Sequence, residues 1–278
     1  MFNLSWRKDK KVFIAVLLIL LFISSIILGI SFGAVDIPPY DVYRVFLYKV
    51  FGIKIGNLDE ILNSTLFDII WGVRMPRVLL GAFAGMALAM VGVIMQATIQ
   101  NPLGDPYILG LSSGASLGAT FSILFWMMGS LAGAQWSNIV LPIAISVIPL
   151  IYFFTQYRNL NLMVLGDETS ITLGLNIEKH RKIYMILSSL ITGVIVSVCG
   201  TIGFVGIMIP HIVRLIFGTD HKTLLPFSAL VGAIFLIWAD VIARCAINNM
   251  ELPIGIITSV IGAPFLLWLM VKGTREKE

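Results

Sequence analysis

Charged side chains are scarce in this sequence. Lys, Arg, Asp and Glu together make up 12% of the 278 residues, whereas hydrophobic residues make up 58%. A water-soluble domain carries about a quarter charged residues, because its surface must stay hydrated. The composition therefore excludes an ordinary soluble domain and indicates a protein whose solvent is lipid.

Cysteine and histidine are also few, with two and three residues. Cys199 and Cys245 lie in apolar stretches, where a free thiol behaves as a small hydrophobe, so no disulfide is predicted. The histidines lack metal-ligand spacing, and the chain contains no Walker A phosphate-binding motif. We predict no metal, no cofactor and no catalysis, so any ATP used would be hydrolysed by another polypeptide. The net charge of +4 forms no basic stripe for nucleic acid.

Long apolar runs, in contrast, fill most of the chain. A spanning helix needs about 20 apolar residues, because the hydrocarbon core is about 30 Å thick. The clearest runs are residues 12–32, 78–97, 108–128, 139–154, 183–198, 224–243 and 254–271. Residues 202–217 contain Pro210, His211 and Arg214 but lie between two clear spans, so we predict that they cross as well. The expected fold is a single all-α domain over residues 1–278 with about eight transmembrane helices.

Basic residues predict how this bundle is oriented. Cytoplasmic joints of membrane proteins are rich in Lys and Arg. The basic flank before the first run places the amino terminus in the cytoplasm, and counting crossings places residues 157–182 and the carboxyl terminus there too. Residues 34–77 are then external. Within that segment, residues 40–51 are amphipathic and follow two prolines, which predicts a short helix at the membrane interface.

Three arginines on the predicted external face need an explanation. Arg74 and Arg77 flank Pro76, which suits the first turn of a helix, yet cations are disfavoured at the positive end of a helix dipole. Arg244 is predicted to face the same side. A soluble acidic protein could bind such a basic patch. The alternatives are that Arg74 and Arg77 reach lipid headgroups and that Arg244 pairs with Asp240, four residues earlier.

A short helix is predicted on the cytoplasmic side, with acidic residues in its first turn and a glycine at its end. Such a helix could transmit motion to a cytosolic partner, and a well-capped connector is the alternative. The residues concerned are Gly166, Asp167, Glu168, Leu173, Gly174 and Leu175.

Several short motifs follow one another along nearly all of the chain from Arg74 onward. They are Arg74-Met75-Pro76-Arg77, Asn101-Pro102-Leu103-Gly104-Asp105-Pro106, Leu165-Gly166-Asp167-Glu168, Gly203-Phe204-Val205-Gly206, Ile209-Pro210-His211-Ile212-Val213-Arg214 and Glu251-Leu252-Pro253-Ile254-Gly255. Together these motifs are specific, and their order resembles the FecCD/BtuC family, the permease subunits of bacterial ABC importers for iron-siderophores, haem and cobalamin.

This resemblance implies a BtuC-like fold in the bacterial cytoplasmic membrane. It also implies a dimer of permeases around one path, two cytosolic ABC ATPases and an external substrate-binding protein. Arg74, Arg77 and Arg244 match the arginines that dock acidic residues of the binding protein, and residues 167–175 match the helix that couples to the ATPase. The substrate would be a metal chelate, a ferric siderophore ahead of haem or cobalamin, carried unchanged by alternating access.

The chain departs from the family in length, since members typically carry ten spans. Gly114-Ala115-Ser116-Leu117-Gly118-Ala119 resembles the third family span, but Phe125-Trp126-Met127-Met128-Gly129-Ser130-Leu131 resembles the external end of the fifth. About two helices, the fourth and fifth, are therefore missing between Ala119 and Phe125. The chain is either a naturally shortened permease or the product of an internal deletion. It either transports, or assembles with its partners without transporting.

A secondary transporter driven by ions is a further alternative. Such proteins usually carry ionisable residues deep within their spans. Here Arg214 lies near the predicted inner end of its span and Asp240 near an outer end. The sequence therefore favours the ABC importer.

Overall fold

The structure, a computed structural model, describes residues 3–56, 58–62, 64–104, 128–247 and 250–275. These parts of the chain are helical, and the strand pairing seen in them is limited to an isolated bridge between Ile247 and Met250. The helices are α1 (Asn3–Ser31), α2 (Pro39–Phe51), α3 (Asp59–Leu62), α4 (Thr65–Phe67), a π-helix (Asp68–Arg74), α5 (Met75–Ile99), α6 (Trp136–Thr155), α7 (Tyr157–Met163), α8 (Asp167–Thr172), α9 (Ile177–Cys199), α10 (Val205–Phe217), α11 (His221–Cys245) and α12 (Ile254–Arg275).

Six helical stretches within the described residues are long and apolar enough to cross a membrane. They are α1, the continuous stretch from α4 to α5, α6, α9, α11 and α12. Six of the predicted spans coincide with these stretches, which confirms an all-α polytopic membrane protein. The predicted span at residues 108–128 lies, apart from Met128, outside the described residues.

Residues 202–217, predicted to cross the membrane, contain a shorter apolar helix than the six long stretches, and their crossing stays a prediction. This stretch forms α10, a helix of 13 residues. At about 1.5 Å per residue it measures only about 20 Å, too short to cross the bilayer core alone. Before α10 lies a non-helical segment in which Gly200 and Phe204 both have positive φ, 69° and 68°. Glycine favours this break because it lacks the Cβ that disfavours positive φ.

The core of the bundle is the antiparallel pair of α5 and α11. A Cβ on Gly85 would overlap the carbonyl group of Gly232, so the two backbones touch directly. Farther along α5, the backbone of Gly92 lies equally close to the backbone of Gly206 in α10. Between helices in lipid, close backbone packing replaces the hydrophobic effect as the force that holds them together. Almost all of α5 is accordingly buried.

The bundle has two chemically different ends. The arginine end holds Arg74 and Arg77 at the start of α5 and Arg244 at the end of α11. The connector end holds α7 and α8, which lie where α5 ends. The amphipathic helix predicted at residues 40–51 is confirmed as α2, with Pro39 at its start and a left-handed Gly52 at its end. Which end faces the cytoplasm stays a prediction.

Candidate functional site

Arg74 and Arg77 are positioned by an unusual helix start. The π-helix runs directly into α5, and the N–H of Met75 binds the carbonyl of Ile70, five residues back. In that register the next carbonyl belongs to Trp71, and its donor would be Pro76, which has no N–H. π-helical segments are rare and occur often at functional sites. The helical backbone reaches back to Thr65, so the two arginines do not stand in the first turn of an isolated helix.

Arg74 reaches across to the end of α1. Its Nη1 donates to the carbonyl oxygens of Ile30 at 2.8 Å and Ser31 at 2.9 Å, and its Nη2 donates to that of Val35. The last carbonyls of a helix lack partners within the helix and form the negative end of its dipole. The sequence placed Arg74 at the positive end of a helix dipole, where a cation is disfavoured. In the structure its guanidinium group instead binds the negative carboxyl end of α1, which favours a cation.

Arg244 holds the same helix end from α11. Its Nη2 donates to the oxygen of Gly29 at 2.9 Å and its Nη1 to that of Phe32 at 3.1 Å. Its Nε lies 3.0 Å from Oδ2 of Asp240, four residues earlier. The ion pair that the sequence left open as an alternative is therefore present.

Arg77 lies between two carboxylates. Its Nε donates to Oδ1 and Oδ2 of Asp240 at 3.0 and 3.2 Å, and its Nη1 donates to both carboxylate oxygens of Glu251 at 2.9 and 3.1 Å. Asp240 thus joins two arginines from opposite sides. The sequence interpretation did not pair Asp240 with Arg77 and gave no role to Glu251, although the Glu251-Leu252-Pro253 motif pointed to that position.

A cleft of about 880 Å³ at the arginine end is lined by the three arginines and Glu251. Its walls also include Phe32, Asp36, Val73 and Met250. The structure brings Arg74, Arg77 and Arg244 together, as expected for one surface. It corrects the picture of a free basic patch, because all three guanidinium groups are largely buried and engaged by carbonyls or carboxylates.

At the connector end, the predicted short helix is confirmed as α8, which begins at Asp167. Gly174 has a φ of 87°, and the N–H of Leu175 donates to the oxygen of Ser170 at 2.9 Å. A left-handed glycine with such a bond is a common helix stop. The glycine therefore ends α8 as predicted, and Asp167 and Glu168 lie in its first turn.

Asp167 ties α8 to two of the long helices. Its Oδ1 accepts from Nε2 of Gln100, just past the end of α5, at 2.8 Å and from Nη2 of Arg181 in α9 at 3.1 Å. Arg181 also donates to the carbonyl of Thr98 at 3.2 Å. The sequence interpretation missed Gln100 and Arg181, because neither has a local signal for these long-range bonds.

The residues predicted to contact a cytosolic partner differ in exposure. Glu168 and Leu173 are exposed, as is Ile171 between them. Leu175 is buried in the core and cannot contact a partner directly. The exposed apolar area at this end also includes Val164 and Leu165.

A second polar contact fastens the connector to α11. Asn161 donates from Nδ2 to Oδ1 of Asp220 at 2.8 Å and accepts from the backbone N–H of His221 at 2.9 Å. The hydrogen bond from Asn161 holds the pKa of Asp220 below its usual value. Arg181, near the start of α9, and His221, at the start of α11, both make contacts at the connector end, so both helices begin there.

Among the described residues, no group of His, Cys, Asp and Glu is placed to hold a metal ion.

The model of the FecCD transport family matches this chain in two segments, residues 17–125 and 120–272. The two matches meet at residues 120–125. This is the position at which the sequence predicts a missing segment.

Several ABC transporter permeases are similar along most of the chain. The permease protein YvrB of Bacillus subtilis is 34% identical over 325 positions, covering 90% of this chain and 91% of the relative. The Fe(3+)-citrate import permease YfmD of the same organism is 30% identical, covering 98% of each. The hemin transport permease HmuU of Yersinia pestis is 32% identical, covering 77% and 86%.

The first of these alignments is longer than the chain itself, 325 positions against 278 residues. The relative therefore contains residues that have no counterpart here, in agreement with the shortening that the sequence predicts. A solved structure described as an inward-facing conformation of a metal-chelate type ABC transporter is also similar. It superposes with a TM-score of 0.76 at 25% identity, covering 92% of this chain and 97% of that one.

Proposed function

Because the chain belongs to the FecCD transport family, we propose that it is the membrane-spanning permease subunit of an ABC importer for a metal chelate. The supporting observation is that α5 joins two charged ends of different kinds. An arginine cluster lies at its start, and a tethered connector helix lies at its end. Relatives are named for iron citrate, hemin and cobalamin, and the chelate proposed for this chain is a ferric siderophore ahead of haem or cobalamin.

The connector end is proposed as the docking site of the cytosolic ATPase. Exposed apolar side chains such as Ile171 and Leu173 suit a groove on a partner protein. Asp167 holds α8 to Gln100 and Arg181, so a movement of α8 is passed to α5 and α9. A helix moves as a rigid element, and α5 extends about 37 Å toward the arginine end.

The arginine end is proposed as the docking site of the external substrate-binding protein. The cleft presents three guanidinium groups against the carboxylates of Asp240 and Glu251, with Asp36 at its wall. An acidic surface of the partner would bring carboxylates to these guanidinium groups, whose charge the three carboxylates of this chain balance while the partner is absent. Both termini would then be cytoplasmic, in the cytoplasmic membrane of a bacterium.

Transport would use alternating access in a dimer with a second permease. ATP binding and hydrolysis on the partner subunits would shift which side of the path is open. This chain would change no covalent bond of the chelate. Because this chain lacks residues that a relative possesses, uptake is the property that must be measured.

The test is reconstitution in proteoliposomes with the neighbouring ATPase and binding protein, followed by measurement of iron-labelled siderophore uptake. ATP-dependent uptake that requires the binding protein supports the proposal. Assembly with stimulated ATPase activity but no uptake identifies a non-transporting component. If no ATPase binds in detergent or in membranes, the permease function is rejected.

A further inference from the structure

The two carboxylates that hold Arg77 differ sharply in their exposure. The side chain of Asp240 is 2% exposed, and that of Glu251 is 52% exposed. Asp240 lies within α11 and also pairs with Arg244. Glu251 lies in the segment between α11 and α12 and contacts Arg77 from the open side of the cleft. The buried contact of Arg77 with Asp240 is therefore fixed, whereas Glu251 can leave Arg77 and turn into the solvent.

Arg77 stays neutralised when Glu251 leaves. Its Nε keeps the bonds to Asp240, which are buried and independent of the Glu251 contact. Its Nη1 then faces the cleft, where a carboxylate from outside can form the same two-oxygen contact. Leaving a buried cation unpaired is costly, so the exchange of one carboxylate for another avoids the main penalty.

We propose that Glu251 is an exchangeable counter-ion of Arg77, which occupies the place of a partner's carboxylate until an acidic external protein docks. The inference rests on the proposed function only in taking that partner to be the external binding protein. Glu251 lowers the positive charge of the cleft while the partner is absent, and its release restores that charge. It thereby sets the affinity of docking and discriminates against weakly acidic proteins.

Glu251→Gln tests the exchange, and Asp36→Asn is the matched control. Both substitutions remove one negative charge from the same cleft, but Asp36 is not among the described hydrogen-bonding partners of Arg77. Binding is measured at low salt on the chain in lipid nanodiscs, with two probes. One is the substrate-binding protein encoded beside the chain, and the other is a short polyglutamate peptide.

Glu251→Gln is expected to tighten binding about three- to tenfold, and Asp36→Asn less than about twofold. Glu251→Asp, which keeps the charge on a shorter side chain, should fall between wild type and Glu251→Gln. Equal effects of Glu251→Gln and Asp36→Asn would show that net charge alone matters and would overturn the proposal. Weaker binding of Glu251→Gln would overturn it too, because Glu251 would then belong to the docking surface.

The two probes separate this inference from the proposed function. If the binding protein fails to bind wild type and variants alike, the proposed docking fails. The peptide still reports whether removal of Glu251 opens Arg77 to an external carboxylate, and no gain with the peptide overturns the exchange. Thermal unfolding of each variant verifies that the Arg77 to Asp240 contact still supports the fold.

Discussion

The indole Nε1 of Trp136 donates a hydrogen bond of 2.8 Å to the carbonyl oxygen of Trp71. Pro76 cannot donate a hydrogen bond to this carbonyl, because proline has no N–H. The two indole rings also stack, with centroids 5.2 Å apart. A side chain of α6 thus completes the backbone of the π-helix, at the turn that carries Arg74 and Arg77.

Trp136→Phe is expected to lower the free energy of unfolding by about 1–2 kcal/mol, because a partly buried carbonyl loses its donor while an aromatic ring remains. Denaturant unfolding in bicelles measures this. The matched control is Trp238→Phe, which removes an indole N–H that donates to the hydroxyl of Ser25 at 3.0 Å. The serine keeps its own O–H donor, which can bond the helix backbone four residues earlier, so the control should cost less. Equal losses would show that Trp136 has no special role at the π-helix.

Gly33→Ala should displace Arg74. A Cβ at this position would lie 2.6 Å from Nη2 of the guanidinium group, which cannot withdraw without losing its bonds at the end of α1. We expect a loss of about 1–3 kcal/mol in unfolding free energy and weaker docking of the binding protein. The control Gly133→Ala has open space around its Cβ. Unchanged stability of Gly33→Ala would contradict the close packing of the Arg74 guanidinium group against Gly33.

Gly85→Ala should destabilise the bundle although alanine is the better helix former. The added methyl group overlaps the carbonyl of Gly232, so α5 and α11 must separate. We expect a loss of about 2–4 kcal/mol and lower yield of folded protein. Gly193→Ala on α9 meets nothing within 4 Å and should be neutral or stabilising by up to about 1 kcal/mol. The same response from both variants would refute direct backbone contact at Gly85.

The sequence predicted those features that depend on residues close together in the chain. Apolar run length located the six long helical stretches, and Asp167 with Gly174 marked the start and stop of α8. The arginine cluster was found as three positions but not as a network, because its main partners lie at the end of α1 and in the Glu251 segment. The π-helix had no local signal either, since its stability depends on Trp136 far along the chain. For α10, apolar composition concealed a helix break at Phe204, whose left-handed conformation is unusual for a non-glycine residue.

Ile171→Asp should prevent assembly with the ATPase while leaving the fold intact. Ile171 is 63% exposed at the connector end, so a charge there costs little in the isolated chain but would be buried in a complex. Co-purification of the ATPase with a tagged chain measures the effect, and at least a tenfold loss is expected. Val50→Asp on α2 is the control, since Val50 is similarly exposed but lies at the arginine end. Normal assembly of Ile171→Asp would remove α8 from the interface.

The two cysteines allow the orientation to be tested with the unaltered chain. Cys245 is exposed beside Arg244 at the arginine end, whereas Cys199 is buried. A membrane-impermeant maleimide should therefore label right-side-out vesicles at Cys245 alone, and Cys245→Ser should remove the label. In the Cys245→Ser background, Leu173→Cys places a thiol at the connector end, 58% exposed in the native residue. That thiol should react only after the vesicles are opened. Because α5 holds the two ends on opposite sides of the bundle, labelling of both sites in sealed vesicles would contradict the importer orientation, and labelling of Leu173→Cys alone would invert it.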